Sequence, residues 1–196
     1  MSDNFQIRLA AVADLELISW HRARMFRDMG ELPPDLFESF RVQSLETLQR
    51  MFDRGEYVGW LASPENEPGQ IVAGAGLQLR EIPPHPQINP NGKIDIVSGP
   101  QAIIQNVFTE PEWRRRGLAA LLIERIIDWT HEQGIDSLVL TLQTKGALFM
   151  TDSDLPQRPR CDSVARVKRL RRWRKVAWPF VKDAAARAWS VNIVVV

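Results

Sequence analysis

Apolar and polar residues alternate at the start of the chain. Phe5, Ile7 and Leu9 are separated by polar neighbours, which predicts a half-buried strand. After Asp14, read as an N-cap, Leu15, Ile18, Met25 and Phe26 share one side of a helix running to about Met29. Pro33-Pro34-Asp35 restarts the chain into a second helical stretch over about 36–52. Residues 57–62 and 71–79 read as strands around a turn at 64–69, and Gly74 and Gly76 offer close approach to the second strand's backbone. Residues 82–100 are rich in Pro, Asn and Gly and read as a long excursion between strands. Residues 102–109 are β-branched, apolar and aromatic enough for a strand, which Pro111 ends because it has no N–H for the ladder. Leu118, Leu121, Leu122, Ile126 and Trp129 then recur at helical spacing until Gly134, and an apolar strand follows at 137–142. The resulting order is β-α-α-β-β-β-α-β.

At 196 residues one domain is the default, with enough chain to bury a core. The net charge of +1 makes no global case for nucleic acid or a membrane surface. The single cysteine, Cys161, excludes an intramolecular disulfide framework and a cysteine-rich metal site. His21, His85 and His131 are scattered without ligand spacing, so no metal is expected. No targeting segment opens the chain and no apolar run is long enough to span a bilayer, so a cytoplasmic location is expected.

The chemistry concentrates in Asn106-Val-Phe-Thr-Glu-Pro-Glu-Trp-Arg-Arg-Arg-Gly-Leu-Ala119, where a strand ends and a helix begins. A helix start exposes unpaired N–H groups and partial positive charge, which suits a phosphate or pyrophosphate. Gly117 and Ala119 keep the approach to the backbone open, and the arginines add charge that does not titrate away. The plainer reading is a strand–turn–helix with a solvated basic turn. Neither G-x-G-x-x-G nor a Walker lysine is present.

Arg114-x-x-Gly117-x-Ala119 after a strand resembles the acetyl-CoA signature of the GNAT N-acetyltransferases, over residues 5 to about 140. The resemblance implies an α/β (α+β) fold, a mixed, mostly antiparallel sheet flanked by helices. It also implies acetyl-CoA as cosubstrate and transfer of acetyl to a primary amine of a small molecule, in a protein that can pair as a homodimer. The strand before the signature would splay from its neighbour, with the backbone of Val107, Phe108 and Thr109 hydrogen-bonding the pantetheine arm. Arg114, Arg115, Arg116, Gly117, Leu118 and Ala119 would wrap the pyrophosphate. Packing in the core is the plainer role for the Val107 and Phe108 side chains.

Acetyl transfer also needs a base for the amine and an acid for the departing thiolate. Glu110 is the nearest carboxylate, although an acidic residue before Pro111 also shapes a turn. Asn106 either orients substrate or satisfies a bulge. The family's closing helix supplies a tyrosine acid in a Leu-Tyr-x-x-x-Gly-Phe run, whereas the one tyrosine here is Tyr57, on an early strand. Arg22, Arg24, Arg27 and Asp28 are available to an acidic or polar acceptor, or form a solvated helix face.

The resemblance stops near Leu140. Each codon can be recomposed from the last base of one residue's codon and the first two of the next. With permitted synonymous choices, 140–163 then rereads as His-Ala-Ser-Asp-Glu-Gly-Arg-Ala-Leu-Tyr-Asp-Arg-Leu-Gly-Phe-Ala-Ala-Thr-Thr-Pro-Met-Arg-Leu, which contains the missing tyrosine and Gly-Phe turn. A lost nucleotide near the Leu140 codon accounts for this, dividing the chain into a GNAT part at 1–142 and a basic tail at 143–196. Residues 151–196 carry a net charge of +7 against −6 for 1–150, as out-of-frame translation of GC-rich DNA gives. Impaired activity is then expected. Two other readings remain open. One is a non-catalytic CoA-binding or interaction protein. The other is nucleic-acid or anionic-membrane binding through 166–175, where Val167, Leu170 and Trp173 are spaced by three among basic residues. The apolar end, 191–196, is expected either to pair with an exposed sheet edge or to promote aggregation.

Overall fold

The computed structural model describes residues 4–88, 91–135, 137–142 and 190–195. Strand β1 is Phe5–Leu9, helix α1 Leu15–Met29, α2 Phe37–Asp53, β2 Tyr57–Pro64, β3 Ala73–Ile88, β4 Ile94–Thr109, α3 Leu118–Glu132, β5 Ser137–Leu142 and β6 Ser190–Val195. The strands form one sheet in the order β1-β2-β3-β4-β5-β6. Pairing is antiparallel from β1 to β4 and parallel at β4–β5 and β5–β6. A parallel neighbour needs a crossover, and α3 supplies it between β4 and β5. Of the two outcomes expected for the apolar end, the structure has the pairing, with β6 running along β5.

Helices cover both faces of the sheet. Leu118, Leu122 and Ile126 of α3 pack on Trp60, Ala75, Leu77, Ala102, Ile104 and Leu138. On the opposite face Leu15 and Ile18 of α1 and Leu48 of α2 meet Tyr57 and Leu61. The period-two and period-3.6 patterns locate most of this core, whereas Leu9 at the end of β1 and Leu121 on α3 are exposed.

Two sequence expectations change. The excursion over 82–100 is instead the outer half of a two-stranded arm made by β3 and β4, which pair out to Ile88 and Ile94. Pro83 and Pro84 fall in the register break between Ile82 and His85, where no ladder hydrogen bond is demanded of them. The other change concerns Asp14, whose carboxylate does not cap α1. It accepts the Ala11 N–H at 2.7 Å and pairs with Arg8, closing the 3-10 turn Val12–Asp14 instead.

Candidate active site

Strand β4 carries an extra residue. Gly76 pairs with Gln105 but Gly74 pairs with Phe108, so Asn106 and Val107 together oppose Ala75 in a β-bulge. Asn106 takes the left-handed conformation there, φ 58°. The extra residue reverses the facing of everything after it. Ile104 lies under α3, and beyond the bulge Val107 packs toward α3 while Phe108 turns to α1, its ring centroid 4.8 Å from that of His21.

The same strand parts from β5 at this point. Their parallel pairing runs from Gln101 to Ile104 and stops. Glu110 donates its N–H to Val72 O at 2.9 Å, and Phe108 pairs with Gly74, so both direct their backbone groups to β3. Alternation turns the N–H and C=O of Val107 and Thr109 toward the other flank. Arg114 Nε reaches Thr109 O at 2.9 Å, in keeping with that direction. Of the three strand residues offered to pantetheine by the sequence, two turn their backbone groups away from β3, toward a flank that no described strand pairs with.

The turn that follows is a 3-10 segment, Pro111–Trp113, anchored by Trp113 packing edge-on to Phe5 at 5.9 Å. Arg115 and Gly117 both adopt positive φ, 66° and 84°. Helix α3 then starts with no side-chain cap and no acidic residue in its first turn. Its first intrahelical bond is Leu121 N–H to Gly117 O, which leaves the N–H groups of Leu118, Ala119 and Ala120 without an intrahelical acceptor. A depression of about 460 Å³ adjoins this start, lined by Asn4, Phe5, Glu65, Arg116, Gly117, Leu118 and Leu121. It opens on the β1 side and is separate from the flank where β4 and β5 part.

The three arginines of the signature have different surroundings. Arg114 is held by Asp28 of α1 and by Thr109 O. Arg116 lies over the Trp113 ring at 4.6 Å. Arg115 is exposed, and its guanidinium makes no hydrogen bond or ion pair among the described residues.

Helix α1 lies along β4 on the Phe108 side and ties to it at successive points. Arg22 donates to Asn106 Oδ1, Arg24 donates to Glu110 Oε2 at 2.9 Å, and Asp28 accepts from Arg114. Asn106 Nδ2 lies 3.4 Å from the Tyr57 hydroxyl, so the only tyrosine of the chain meets the bulge. Burial pushes the Tyr57 hydroxyl up to about 12, which keeps it protonated. The close approach available at Gly76 is filled by this ring, since a Cβ there would lie 2.2 Å from the hydroxyl oxygen.

His21, Arg24 and Tyr57 gain site positions that spacing along the sequence does not reveal. Both ring nitrogens of His21 are buried without a hydrogen-bond partner among the described residues. Its Nε2 lies 3.7 Å from Glu110 Oε1, too long for a hydrogen bond. Burial, and then the nearby Arg24 charge, depress the imidazole to about 4, so at neutral pH this contact is not an ion pair. Glu110 thus has one oxygen committed to Arg24 and the other facing a neutral imidazole. Among the described residues no three His, Cys, Asp or Glu side chains converge as metal ligands, and no helix is long and apolar enough to cross a membrane. The tail segments 143–189, including 166–175, lie outside the described residues.

A family model described as the acetyltransferase (GNAT) family matches residues 15–148. Among solved structures, a GCN5-related N-acetyltransferase from Ralstonia eutropha is 29% identical, with 70% of this chain and 82% of that one covered and a TM-score of 0.59. A predicted acetyltransferase with acetyl-CoA from Clostridium acetobutylicum is 25% identical, with 70% and 80% covered and a TM-score of 0.54. No curated protein matches the chain.

Proposed function

The chain belongs to the GNAT acetyltransferase family, a family of enzymes that use acetyl-CoA, and from that premise we propose that it acetylates a primary amine of a small molecule in the cytoplasm. The observation that carries this reading is the parting of β4 from β5 after Ile104, beside the uncapped start of α3. A flank that no described strand pairs with, leading along the chain through a short turn to helix N–H groups without an intrahelical acceptor, fits a ligand with an amide-bearing arm and a diphosphate. Acetyl-CoA, when bound, supplies the activated acyl group.

The backbone of Val107 and Thr109 binds the arm as an added strand, and the N–H groups of Leu118, Ala119 and Ala120 take the diphosphate with Arg115. Gly117 fits this role because nothing stands within 4 Å of where its Cβ would lie, which leaves the helix start open. Glu110 Oε1, the oxygen not bonded to Arg24, accepts the proton that the amine must lose. A thioester oxygen close to the Thr109 N–H would be polarised by it. Calorimetric titration with acetyl-CoA tests the binding half. An acetylation screen of amines, read as release of free thiol, tests the transfer half. No heat of binding from a folded sample would remove this reading.

We further propose that the closing helix and its tyrosine are missing from this product through a shift of reading frame near Leu140. Residues 1–142 would be the acetyltransferase part and 143–196 an unselected basic tail. Tyr57 does not replace the lost acid, because its hydroxyl is buried at the bulge on the α1 side of the sheet. Turnover by this chain is therefore expected to fall at least tenfold below that of a version with the base restored. Sequencing the coding DNA decides the matter directly, since a restored base must open the family-like frame.

A further inference from the structure

We infer that the acceptor amine carries an anionic oxyacid group, carboxylate or phosphate, and that Arg22 binds it. This rests on the acetyltransferase reading above and names its substrate class. Arg22 is not part of a solvated helix face. Its guanidinium is folded inward, 5.1 Å from the Phe26 ring and 5.9 Å from the Phe40 ring, with Asn106 Oδ1 as its hydrogen-bond acceptor. Burial pulls it below the ordinary arginine range. Among the described residues it has no carboxylate partner.

The neighbouring charges sharpen the point. Arg24 is matched by Glu110 and Arg114 by Asp28. Arg27 rests on the Phe37 ring at 5.0 Å and likewise has no carboxylate among the described residues. The seam between α1 and β4 thus holds more guanidinium than carboxylate, beside the base and beside the bulge. Desolvating a guanidinium against two aromatic rings costs free energy unless an anion repays it. The planar fork is suited to a carboxylate or a phosphate, and its partner Asn106 stands four residues before Glu110, with the bulge between them. An acceptor spanning that interval places its amine at Glu110 and its anion at Arg22.

The test uses matched pairs that differ only in the anion. Omega-amino acids of two to six carbons are compared with their amides, and phosphoethanolamine with ethanolamine. Binding is read by calorimetry on the full chain, with and without free CoA. The expected result is at least one pair in which the anionic member binds about 10- to 100-fold more tightly. Arg22→Gln is expected to abolish that preference and Arg22→Lys to retain part of it. Whether the carboxylate or the phosphate series shows the effect identifies the group. Equal binding within every pair, no binding by any anionic member, or an undiminished preference in Arg22→Gln overturns the inference. The wild-type comparison stands without any variant, should Arg22→Gln fail to fold. Loss of acetyl-CoA binding alone would remove the enzymatic reading, while the anion preference would still be measured.

Discussion

Asn106 does two things at once, and replacing it by alanine and by glycine separates them. It holds a left-handed backbone at φ 58°, where alanine costs about 1 kcal/mol and glycine almost nothing. Its amide also serves Arg22 on one side and the Tyr57 hydroxyl on the other. Tyr57 is 3% exposed, so its hydroxyl has no ready water to replace the lost donor. A buried polar group that loses its partner costs about 1–3 kcal/mol, and the 3.4 Å contact belongs at the low end of that range. With about 1–2 kcal/mol more for the hydrogen bond that Arg22 loses, Asn106→Ala is predicted to lose about 3–4 kcal/mol. Asn106→Gly should lose about 0.5–1 kcal/mol less than the alanine variant, after allowing for the looser unfolded chain. Asn106→Asp keeps the backbone preference and gives Arg22 a charged acceptor, so it should stay within about 1 kcal/mol of wild type. Urea unfolding followed by tryptophan fluorescence measures all three. An alanine variant within about 0.5 kcal/mol of wild type would show that the bulge is not organised by this side chain. A glycine variant no more stable than alanine would show that backbone strain is not part of the cost.

The signature arginines should separate by variant. Arg115→Ala should leave the unfolding midpoint unchanged and weaken acetyl-CoA binding about 5- to 30-fold. Arg114→Ala should cost about 1 kcal/mol of stability through Asp28 and Thr109, and equal effects of the two on stability would contradict this division. Gly76→Ala drives a Cβ into the Tyr57 ring, with 2.6 and 2.7 Å contacts to its carbons, and should cost about 2–3 kcal/mol. That loss should shrink in a Tyr57→Leu background, and the double-variant cycle measures the coupling. Stability should also decline at both ends of the pH range. From about 6.5 down to about 4 the unfolded chain takes up a proton that folded His21 refuses, so stability falls as pH falls. Between about 10 and 12 the unfolded chain releases a proton that folded Tyr57 keeps, so stability falls as pH rises. His21→Gln should flatten the acid limb, and urea midpoints across the pH range check both.

The regular elements were legible because their causes are local. Phe5 and Ile7 alternate with exposed Gln6 and Arg8 as β1 does, and Leu118, Leu122 and Ile126 repeat as the buried side of α3 does. The arm over 82–100 differs from the expected excursion for a local reason too. Its prolines mark a turn in most sequences, but here two of them sit in the register break between Ile82 and His85, where no ladder hydrogen bond is demanded of them. What spacing along the chain could not give is the partnership between α1 and β4. Asn106 and Glu110 were visible as candidates on their own strand, whereas Arg22 and Arg24 lie more than eighty residues earlier and meet them only through the fold. His21 carried no signal at all, since a lone histidine in a helix resembles any other core position until its unpartnered nitrogens are seen against Glu110.

The bulge explains how one strand can serve both of these sides. In an unbroken strand, side chain 108 would share the face of Ile104 under α3, and position 107 would face α1. The extra residue at 106–107 exchanges them, which brings Phe108 beneath His21 and leaves Val107 on the α3 side. It also coincides with the end of pairing to β5, so the backbone of Val107 and Thr109 faces a flank that no described strand pairs with. The parts proposed for the acyl donor and those proposed for the acceptor are therefore positioned by the same irregularity. A change that straightens β4 should disturb both together, whereas a change at Gly117 should disturb only the donor side. Comparing acetyl-CoA affinity with the anion preference in Asn106→Ala and Gly117→Ala would expose that difference. Equal loss of both properties from the Gly117 change would mean that the turn, rather than the bulge, organises the site.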